Sequence, residues 1–473
     1  MKAVSVTCVL FLVASLSCYA VQSDDLFMYL ALAKNFFMTG SFATHDLFLY
    51  TLNDYSWTIM HQWLGYLSFY GLYELGGYNL IIIAKTSLIG FFLTFYVLTK
   101  KSSQFSLFIW GTSVALAMYA MSFRLMERTS LFSDFLIVSV LYILVKENEK
   151  PSRIKYILPI LFLFWVNLHP AFPIGWALCF LFLLCNFKKI RNADYTRFAA
   201  VTAASILVCL LNPKGLDGLL YPFQFATNEG AVFRQYYFEW MPTLNSMFLY
   251  QPQTLFLGLL ILFNLFLIFK TRKTKPRFEF LASLFFIAYG LYAIRFVPTL
   301  CFALVFLNFS LSLRLADLKI AKKFNYALAF IALVLAVKNI SVGYDVISGH
   351  RDFGLGLDST VVPQKAANIL LKNPQIGNVF NSHMFGSYLA WTWRSERKIF
   401  YHGFVTDTNL FLNEYAAFSL GTERFNRQVE KYKIEAFLLD RFRGNEPLIN
   451  TLVSHPHWQL AYKDESSLIF LKK

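Results

Sequence analysis

Long apolar runs, separated by short polar segments, organise the first 340 residues of the chain. A helix needs about 20 predominantly apolar residues to cross the hydrocarbon core of a bilayer. Eleven runs approach this length, at 3–20, 79–99, 104–122, 130–146, 156–169, 171–187, 197–211, 254–270, 279–294, 296–312 and 324–340. The pattern predicts a mainly α, polytopic bundle of about eleven membrane-spanning helices.

The pattern changes after residue 340. Short β-rich runs such as GNVFN (377–381) and KIFYHG (398–403) alternate with helical stretches such as VVPQKAANILLKN (361–373). This alternation is typical of a small α/β domain. We therefore predict a transmembrane domain at 1–340 and an α/β domain at 341–473.

Composition agrees with a membrane protein, because 57% of the residues are hydrophobic and only 15% are charged. All six cysteines lie within apolar runs, so neither a disulfide framework nor a cysteine-based metal site is indicated. The first run, 1–20, has a second interpretation as a cleaved signal peptide. We favour an uncleaved span, because the residues that follow it need an anchor.

The basic residues lie in alternate loops between the apolar runs. The rich loops are at Lys2, 100–101, 146–155, 188–197, 270–277 and 314–323. The positive-inside rule then places the N-terminus in the cytoplasm, and 21–78, 212–253 and 341–473 outside it. The membrane we expect is the bacterial inner membrane. Because the net charge of +15 arises in these loops, it does not indicate nucleic-acid binding.

Segment 21–78 is long, acidic and rich in aromatic residues. It contains two amphipathic helical patterns, DLFMYLALAKNFFMTG (25–40) and MHQWLGYLSFYGLYELGG (60–77), and each ends in glycine. Trp and Tyr at this density favour helices lying in the headgroup layer. The carboxylates Asp24 and Asp25 are adjacent, and Asp25 lies near the N-terminus of the first helix, where a helix cap is the structural alternative to a reactive group.

These residues carry a resemblance. DDLFMYLALAKNFFMTGSFATHDLFLYT followed by HQWLGYL resembles the first outside loop of bacterial membrane proteins of the GT-C glycosyltransferase type. Further elements follow in the order of that family: WVNLHPAFPIG (165–175), LNPKG (211–215), FEWMP (238–242), AIRFVPTL (293–300) and GNVFNSHMFGSYLAW (377–391). The resemblance spans nearly the whole chain and implies a GT-C-like fold.

The chain departs from the family pattern at several positions of these elements. Tyr29 replaces a common His, Ala43 and Leu47 replace prolines, Gln62 replaces a Glu, and His402-Gly403-Phe404 replaces Asp-Gly-Arg. These departures keep open a non-catalytic envelope binding protein on the same fold. A flippase or transporter of lipid-linked glycans is a second alternative, although no half-chain repeat supports it.

The resemblance implies transfer of a sugar from a polyprenyl-phosphate-linked donor to a glycan, lipid or protein acceptor outside the membrane, with inversion. Such a reaction needs a carboxylate base, for which Asp25 is the first candidate. Asp24 either shares this task or is solvated. Asp46 is the second candidate, with an Asx turn as its structural alternative.

The departing phosphate needs cations, and four residues near predicted span ends on the outside could provide them: Arg124, Arg128, His169 and Arg295. Their alternatives are snorkelling for Arg124 and Arg295, a pair with Glu127 or Asp134 for Arg128, and a bond to a neighbouring helix for His169. His61, Glu239 and Tyr29 complete the predicted substrate-binding set.

Two questions remain open from the sequence. Lys85 lies alone inside the second span and needs a partner, for which Asp134 and Glu127 are candidates. Asp24 and Asp25 supply too few oxygen ligands to indicate a metal, so no cofactor is predicted beyond an optional divalent ion.

Overall fold

The computed structural model describes residues 2–52, 56, 59–227, 237–315, 317–347, 349–394, 396–405, 407, 409–419, 422–441 and 445–473. The predicted loop 212–253 therefore includes a part, 228–236, that lies outside the described residues. The described chain packs as two units. One comprises 1–20 with 79–355, and the other comprises 21–78 with 356–473.

The first unit is helical. Its helices are α1 (Lys2–Ser17), the second part of α3 (Trp63–Thr99), α4 (Gln104–Met121), α5 (Ser130–Glu149), α6 (Leu158–Leu168), α7 (Phe172–Cys185), α8 (Ala193–Leu207), α9 (Gly215–Thr227), α10 (Ser246–Leu249), α11 (Pro252–Thr271), α12 (Arg277–Tyr292), α13 (Val297–Leu313) and α14 (Lys322–Val342). A short hairpin of β1 (Tyr344–Val346) and β2 (Gly349–Arg351) follows α14.

The eleven predicted spans all coincide with helices. Among the described residues, six helical stretches are long and apolar enough to cross a membrane: Trp63–Thr99, Gln104–Arg124, Ala193–Leu211, Pro252–Thr274, Ile294–Leu313 and Lys322–Val342. Helices α1 and α7 are apolar but shorter. The chain is an integral membrane protein of the predicted mainly α class.

Helix α13 forms the centre of the first unit, because nearly every side chain from Val297 to Ser312 is buried. It packs mainly against α4, with α5, α11 and α12 on its other faces. A polar relay crosses this core, in which the Asn264 amide donates to Asn308 Oδ1 (2.7 Å) and the Asn308 amide donates to Ser113 Oγ (3.0 Å). Such bonds between helices satisfy polar groups that lipid cannot.

Glycines end the two predicted helices of segment 21–78 as expected. Gly40 caps α2 (Asp24–Thr39) with a φ of 70°, and its N–H donates to Phe36 O at 2.8 Å. Inside α3 the helical geometry is broken at Gly76 and Gly77, and Gly77 has a φ of 63°. Only glycine adopts this region without strain, so the chain turns here before the long apolar part of α3 begins.

The second unit contains a four-stranded sheet. Its strands are β3 (Asn378–Asn381), β4 (Ile434–Asp440), β5 (Trp458–Lys463) and β6 (Ser467–Lys472), in the order β3-β4-β6-β5. Strands β3 and β4 run parallel, and the other pairs are antiparallel. Its helices, besides α2 and the start of α3, are α15 (Gln364–Leu371), α16 (Gly386–Trp393), α17 (Thr422–Tyr432) and α18 (Glu446–Ser454). The predicted C-terminal α/β character is confirmed.

Segment 21–78 packs within this second unit. Leu49 forms a β-bridge with Ile399, Thr51 Oγ1 donates to Phe400 O (2.8 Å), and α2 lies along α16. The sequence division at 340 and 341 groups this segment with the spans instead. The contacts differ from that division because its polar backbone edges pair with the sheet domain more than 300 residues later in the chain.

Candidate functional site

Three of the four predicted phosphate-binding cations surround Glu239, another member of the predicted substrate-binding set. Arg124 ends a 3₁₀ turn (Ser122–Arg124) that follows α4, and Arg128 precedes α5. Arg295 lies in the turn Ile294–Phe296 before α13, and Glu239 lies in the turn Phe238–Trp240. We call these four residues the arginine cluster. All of them lie outside the α-helices, where side chains of charged residues can reach water.

The bonds of the arginine cluster converge on the Glu239 carboxylate. Arg124 Nη1 and Arg128 Nη1 both donate to its Oε2, at 2.8 and 2.7 Å. Arg295 Nη1 lies 3.7 Å from Oε1, and the Arg295 guanidinium carbon stacks 3.8 Å from the centre of the Trp240 ring. The arginines therefore hold fixed positions rather than snorkelling individually.

The arginine cluster combines three cations with one ionised carboxylate. Burial alone would raise the pKa of Glu239, but the positive charges of the three arginines hold it well below its usual range. The Glu239 carboxylate is therefore ionised, and the three guanidinium groups around it offer N–H donors only. The side chains keep 12 to 24% of their surface exposed, so an anionic group can approach them.

Glu127, between Arg124 and Arg128 in the chain, belongs to a buried ion pair. Lys85 Nζ contacts Glu127 Oε1 at 2.6 Å, and the two side chains are 1% and 0% exposed. Of the two partners that the sequence offered for Lys85, the structure selects Glu127. Asp134 instead accepts a bond from the Thr299 hydroxyl.

Two residues that sequence reasoning missed support the same segment. The buried Arg351 guanidinium donates to the carbonyl oxygens of Ser122 and of Phe123, the latter at 2.9 Å. The centre of the Tyr19 ring lies 3.8 Å from Lys85 Nζ and 4.2 Å from the Arg351 guanidinium carbon. No local sequence pattern indicates a role for Arg351 or Tyr19, because the residues that they contact are far from them in the sequence.

His169 makes the interhelical bond that the sequence gave as its alternative. Its Nδ1 lies 2.8 Å from Ser133 Oγ on α5. Trp165 Nε1 donates to the same hydroxyl at 2.7 Å. His169 thus takes part in packing α5 against the end of α6.

Asp24 and Asp25 form the first turn of α2, as predicted. The Ser387 hydroxyl donates to Asp24 Oδ2 at 2.6 Å, near the N-terminus of α16. Burial raises the pKa of Asp24 to about 8, because it outweighs the bond from Ser387. Asp24 therefore joins α2 to α16 through Ser387, and both Asp24 and Asp25 are partly buried.

Asp46 has the Asx-turn geometry that the sequence left open. Its Oδ1 accepts the N–H groups of Phe48 (2.7 Å) and Leu49 (2.8 Å), and its Oδ2 lies 2.7 Å from His402 Nε2. Burial alone would raise the pKa of Asp46, but His402 and the two N–H groups lower it. The side chains of Asp46 and His402 are 0% exposed, so this buried pair holds segment 21–78 against the sheet domain.

Tyr29 and His61 are largely buried, with 3% and 7% of their surface exposed. The Tyr29 ring stacks on Tyr66 at a centroid distance of 4.9 Å and meets Phe404 edge-on at 5.8 Å. Gln62 Nε2 donates to Tyr66 Oη at 2.8 Å. Three positions at which the chain departs from the family pattern therefore lie in one aromatic cluster.

No group of three or more His, Cys, Asp or Glu side chains that could hold a metal ion occurs within the described ranges. Among the described residues, the candidate phosphate-binding arginines lie in the first unit, and the candidate bases Asp24, Asp25 and Asp46 lie in the second.

Comparison with known proteins identifies the fold. The chain is similar to the archaeal oligosaccharyltransferase AglB from Archaeoglobus fulgidus, solved with an inhibitory peptide and a dolichol-phosphate, with a TM-score of 0.59 and 13% identity over 93% of this chain and 69% of AglB. ArnT from Cupriavidus metallidurans bound to undecaprenyl phosphate aligns over 99% of this chain and 97% of its own, at 13% identity and a TM-score of 0.49.

No family model matches the chain, and no curated protein matches it in sequence. At 13% identity the similarity to AglB shows the fold alone. The GT-C-like fold implied by the sequence resemblance is confirmed.

Proposed function

We propose that the protein is a membrane glycosyltransferase that transfers a sugar from a polyprenyl-phosphate-linked donor to an acceptor on the extracytoplasmic side. The observation that carries this proposal is the arginine cluster, in which three arginines converge on one carboxylate near the ends of membrane helices. Arginine offers phosphate a planar set of N–H donors and stays charged at every physiological pH. A lipid-linked phosphate is an anion that reaches such a position from within the membrane.

The proposed reaction breaks the bond between the anomeric carbon and the phosphate oxygen. The electron pair stays with the phosphate, whose new negative charge the arginines stabilise. The acceptor oxygen bonds to the anomeric carbon from the opposite side, which inverts the configuration, and its proton passes to Asp25. Asp24 holds the turn that carries Asp25 through its bond to Ser387.

The orientation of the chain belongs to the proposal as well. The N-terminus would face the cytoplasm and 341–473 the other side, in a bacterial inner membrane. Membrane lipids would surround the bundle, and the acceptor would be a glycan, lipid or protein. Nucleic acid is not proposed as a partner.

The test is sugar transfer by the purified protein in lipid nanodiscs, with a panel of radiolabelled polyprenyl-phosphate sugars and membrane-extract acceptors. Asp25→Asn should abolish transfer. Asp194→Asn is its matched control, since Asp194 lies in the first turn of α8 and pairs only with Arg197 among the described ion pairs. Transfer by Asp25→Asn at the wild-type rate would reject the base assignment.

A second pair of variants tests the cations. Arg124→Gln should lower transfer by about two orders of magnitude, comparable to the loss of one donor at a developing negative charge. Arg272→Gln is the matched control, because it removes the same charge at the C-terminal end of α11, outside the arginine cluster. This variant should transfer sugar at the wild-type rate. If the wild type binds polyprenyl phosphate but consumes no donor, the binding-protein alternative replaces the enzyme.

A further inference from the structure

One surface of the second unit exposes large apolar side chains at the ends of two neighbouring helices. Phe37 and Met38 lie in the last turn of α2, and Leu75 precedes the break in α3; their side chains are 61, 74 and 81% exposed. The Phe37 ring stacks on the Tyr70 ring of α3 at a centroid distance of 5.3 Å, so the two helix ends lie together. Apolar side chains grouped in this way indicate contact with a protein or a membrane.

The chain itself brings this surface close to the bilayer. Leu75 is four residues before the apolar run 79–99, which forms the membrane-spanning part of α3. Four residues extend over about 14 Å at most. Leu75 therefore lies near the start of a membrane span, at the level where lipid headgroups meet water.

Two cations of the same surface contact one indole ring. Lys34 Nζ lies 5.6 Å from the centre of the Trp391 ring, and the Arg394 guanidinium carbon lies 5.4 Å from it. These distances are within the range of cation–π contacts. Trp391 is buried, and its Nε1 donates to Tyr78 Oη at 3.0 Å, so the ring that both cations share is held in place.

Neither cation has a carboxylate partner within the described part of the chain. Lys34 and Arg394 form no ion pair there, although Glu74 lies next to Leu75 on the same surface. The Glu74 carboxylate accepts a hydrogen bond from the Tyr70 hydroxyl instead. The two positive charges are therefore available to an anion from outside the protein.

Arg394 also has a backbone conformation that its residue type disfavours. It follows the last residue of α16 with a φ of 53°, in a region that glycine adopts freely and other residues adopt under strain. Glycine is the common residue at such helix ends. A strained residue points to a function of its side chain, which here is the guanidinium group beside Trp391.

We propose that Lys34 and Arg394 bind the headgroup phosphate of an anionic phospholipid from the surrounding membrane. Phe37, Met38 and Leu75 contact the acyl chains of this lipid. Each cation near a membrane surface strengthens the binding of an anionic lipid about fivefold. A zwitterionic lipid carries its own ammonium group beside the phosphate, which competes with the two side chains. The site therefore favours phosphatidylglycerol over phosphatidylcholine, and it does not depend on sugar transfer.

The experiment maps lipid contacts on the full-length protein in phosphatidylcholine nanodiscs. A photoactivatable phosphatidylglycerol is crosslinked to the protein, and mass spectrometry locates the labelled peptides. The labels should fall within 34–38, 70–75 and 391–394. Unlabelled phosphatidylglycerol should compete with this labelling, whereas additional phosphatidylcholine or inorganic phosphate should not.

Lys34→Gln and Arg394→Gly should each reduce the labelling of these segments about fivefold. Arg394→Gly also relieves the strained φ, so its melting temperature should not fall below that of the wild type, which separates loss of the site from loss of the fold. Arg394→Lys keeps the charge and should retain most of the labelling. Lys365→Gln is the matched control, because it removes an exposed cation of α15 in the same unit and should leave the labelling unchanged.

Three results would overturn the inference. The first is labelling confined to other segments of the chain. The second is competition by phosphatidylcholine or inorganic phosphate as strong as that by phosphatidylglycerol. The third is wild-type labelling in both Lys34→Gln and Arg394→Gly.

Discussion

Breaking the buried pair of Lys85 and Glu127 should destabilise the first unit strongly. The two charged atoms lie 2.6 Å apart, and neither side chain has more than 1% of its surface exposed. Lys85 also stacks on the Tyr19 ring at 3.8 Å. The perturbation consists of Lys85→Met, Glu127→Gln and the double variant, all of which conserve side-chain volume.

The magnitude follows from the geometry. At 2.6 Å and an effective dielectric constant of about 20, Coulomb's law gives an attraction of about 6 kcal/mol. Desolvation of the two ions offsets several kcal/mol, so the intact pair contributes little relative to neutral residues. Removal of one partner leaves the other charge buried and alone, and each single variant should lose about 3–5 kcal/mol of unfolding free energy. The double variant should lose less than either single variant, because no charge remains buried.

The assay is a double-mutant cycle of unfolding free energies, measured by denaturant titration in detergent micelles. The exposed pair of Lys100 and Glu149, at 2.9 Å and with side chains 21% and 42% exposed, is the matched control. Its loss should change the unfolding free energy by less than about 1 kcal/mol. Single Lys85 or Glu127 variants as mild as this control, or a double variant as unstable as the sum of the two, would refute the reasoning.

Three further predictions concern stability. The folded pKa of Asp24 is raised to about 8, so the contribution of Asp24 to the unfolding free energy is fully present below its ordinary pKa of about 4 and is lost as the pH rises to about 8. Asp24→Asn should remove this decline and be about 1–2 kcal/mol more stable than the wild type at pH 8, as measured by denaturant titration between about pH 4 and pH 8. Arg351→Lys should cost about 2–4 kcal/mol in the same titration at pH 7, because an ammonium cannot serve both carbonyls; an unchanged midpoint would contradict the contact. Gly175→Ala should lower the melting temperature through a clash with Trp165 at 2.5 Å, costing about 1–3 kcal/mol, whereas Gly258→Ala has open space and should not lower it.

The helices of this fold could be predicted from the sequence because their signal is local. Apolar runs of span length coincide with helices, and the glycines at 40, 76 and 77 end the predicted helices of segment 21–78. Bilayer thickness and backbone geometry act within one segment, so a single sequence contains the information. The packing of that segment within the sheet domain depends on contacts hundreds of residues apart and could not be predicted in this way.

The site illustrates the same limit. Sequence reasoning selected Arg124, Arg128, Arg295 and Glu239 separately, yet for Arg128 it considered only the nearby carboxylates as partners. The structure pairs Arg128 with Glu239, which is 111 residues away. The partner of a charged residue depends on which helix ends lie next to each other in the fold, and the sign of its charge does not predict that partner.

Three of the departures from the family pattern lie in contact with one another, which their separate positions in the sequence do not show. The pattern has His, Glu and Arg where this chain has Tyr29, Gln62 and Phe404, and these three lie in one buried cluster with Tyr66. In this chain Gln62 bonds to Tyr66, and the Tyr29 ring packs on Tyr66 and Phe69. Three of the departures therefore share one cluster in the second unit, whereas Glu239 and Arg295 of the first unit keep the residue types of the family pattern.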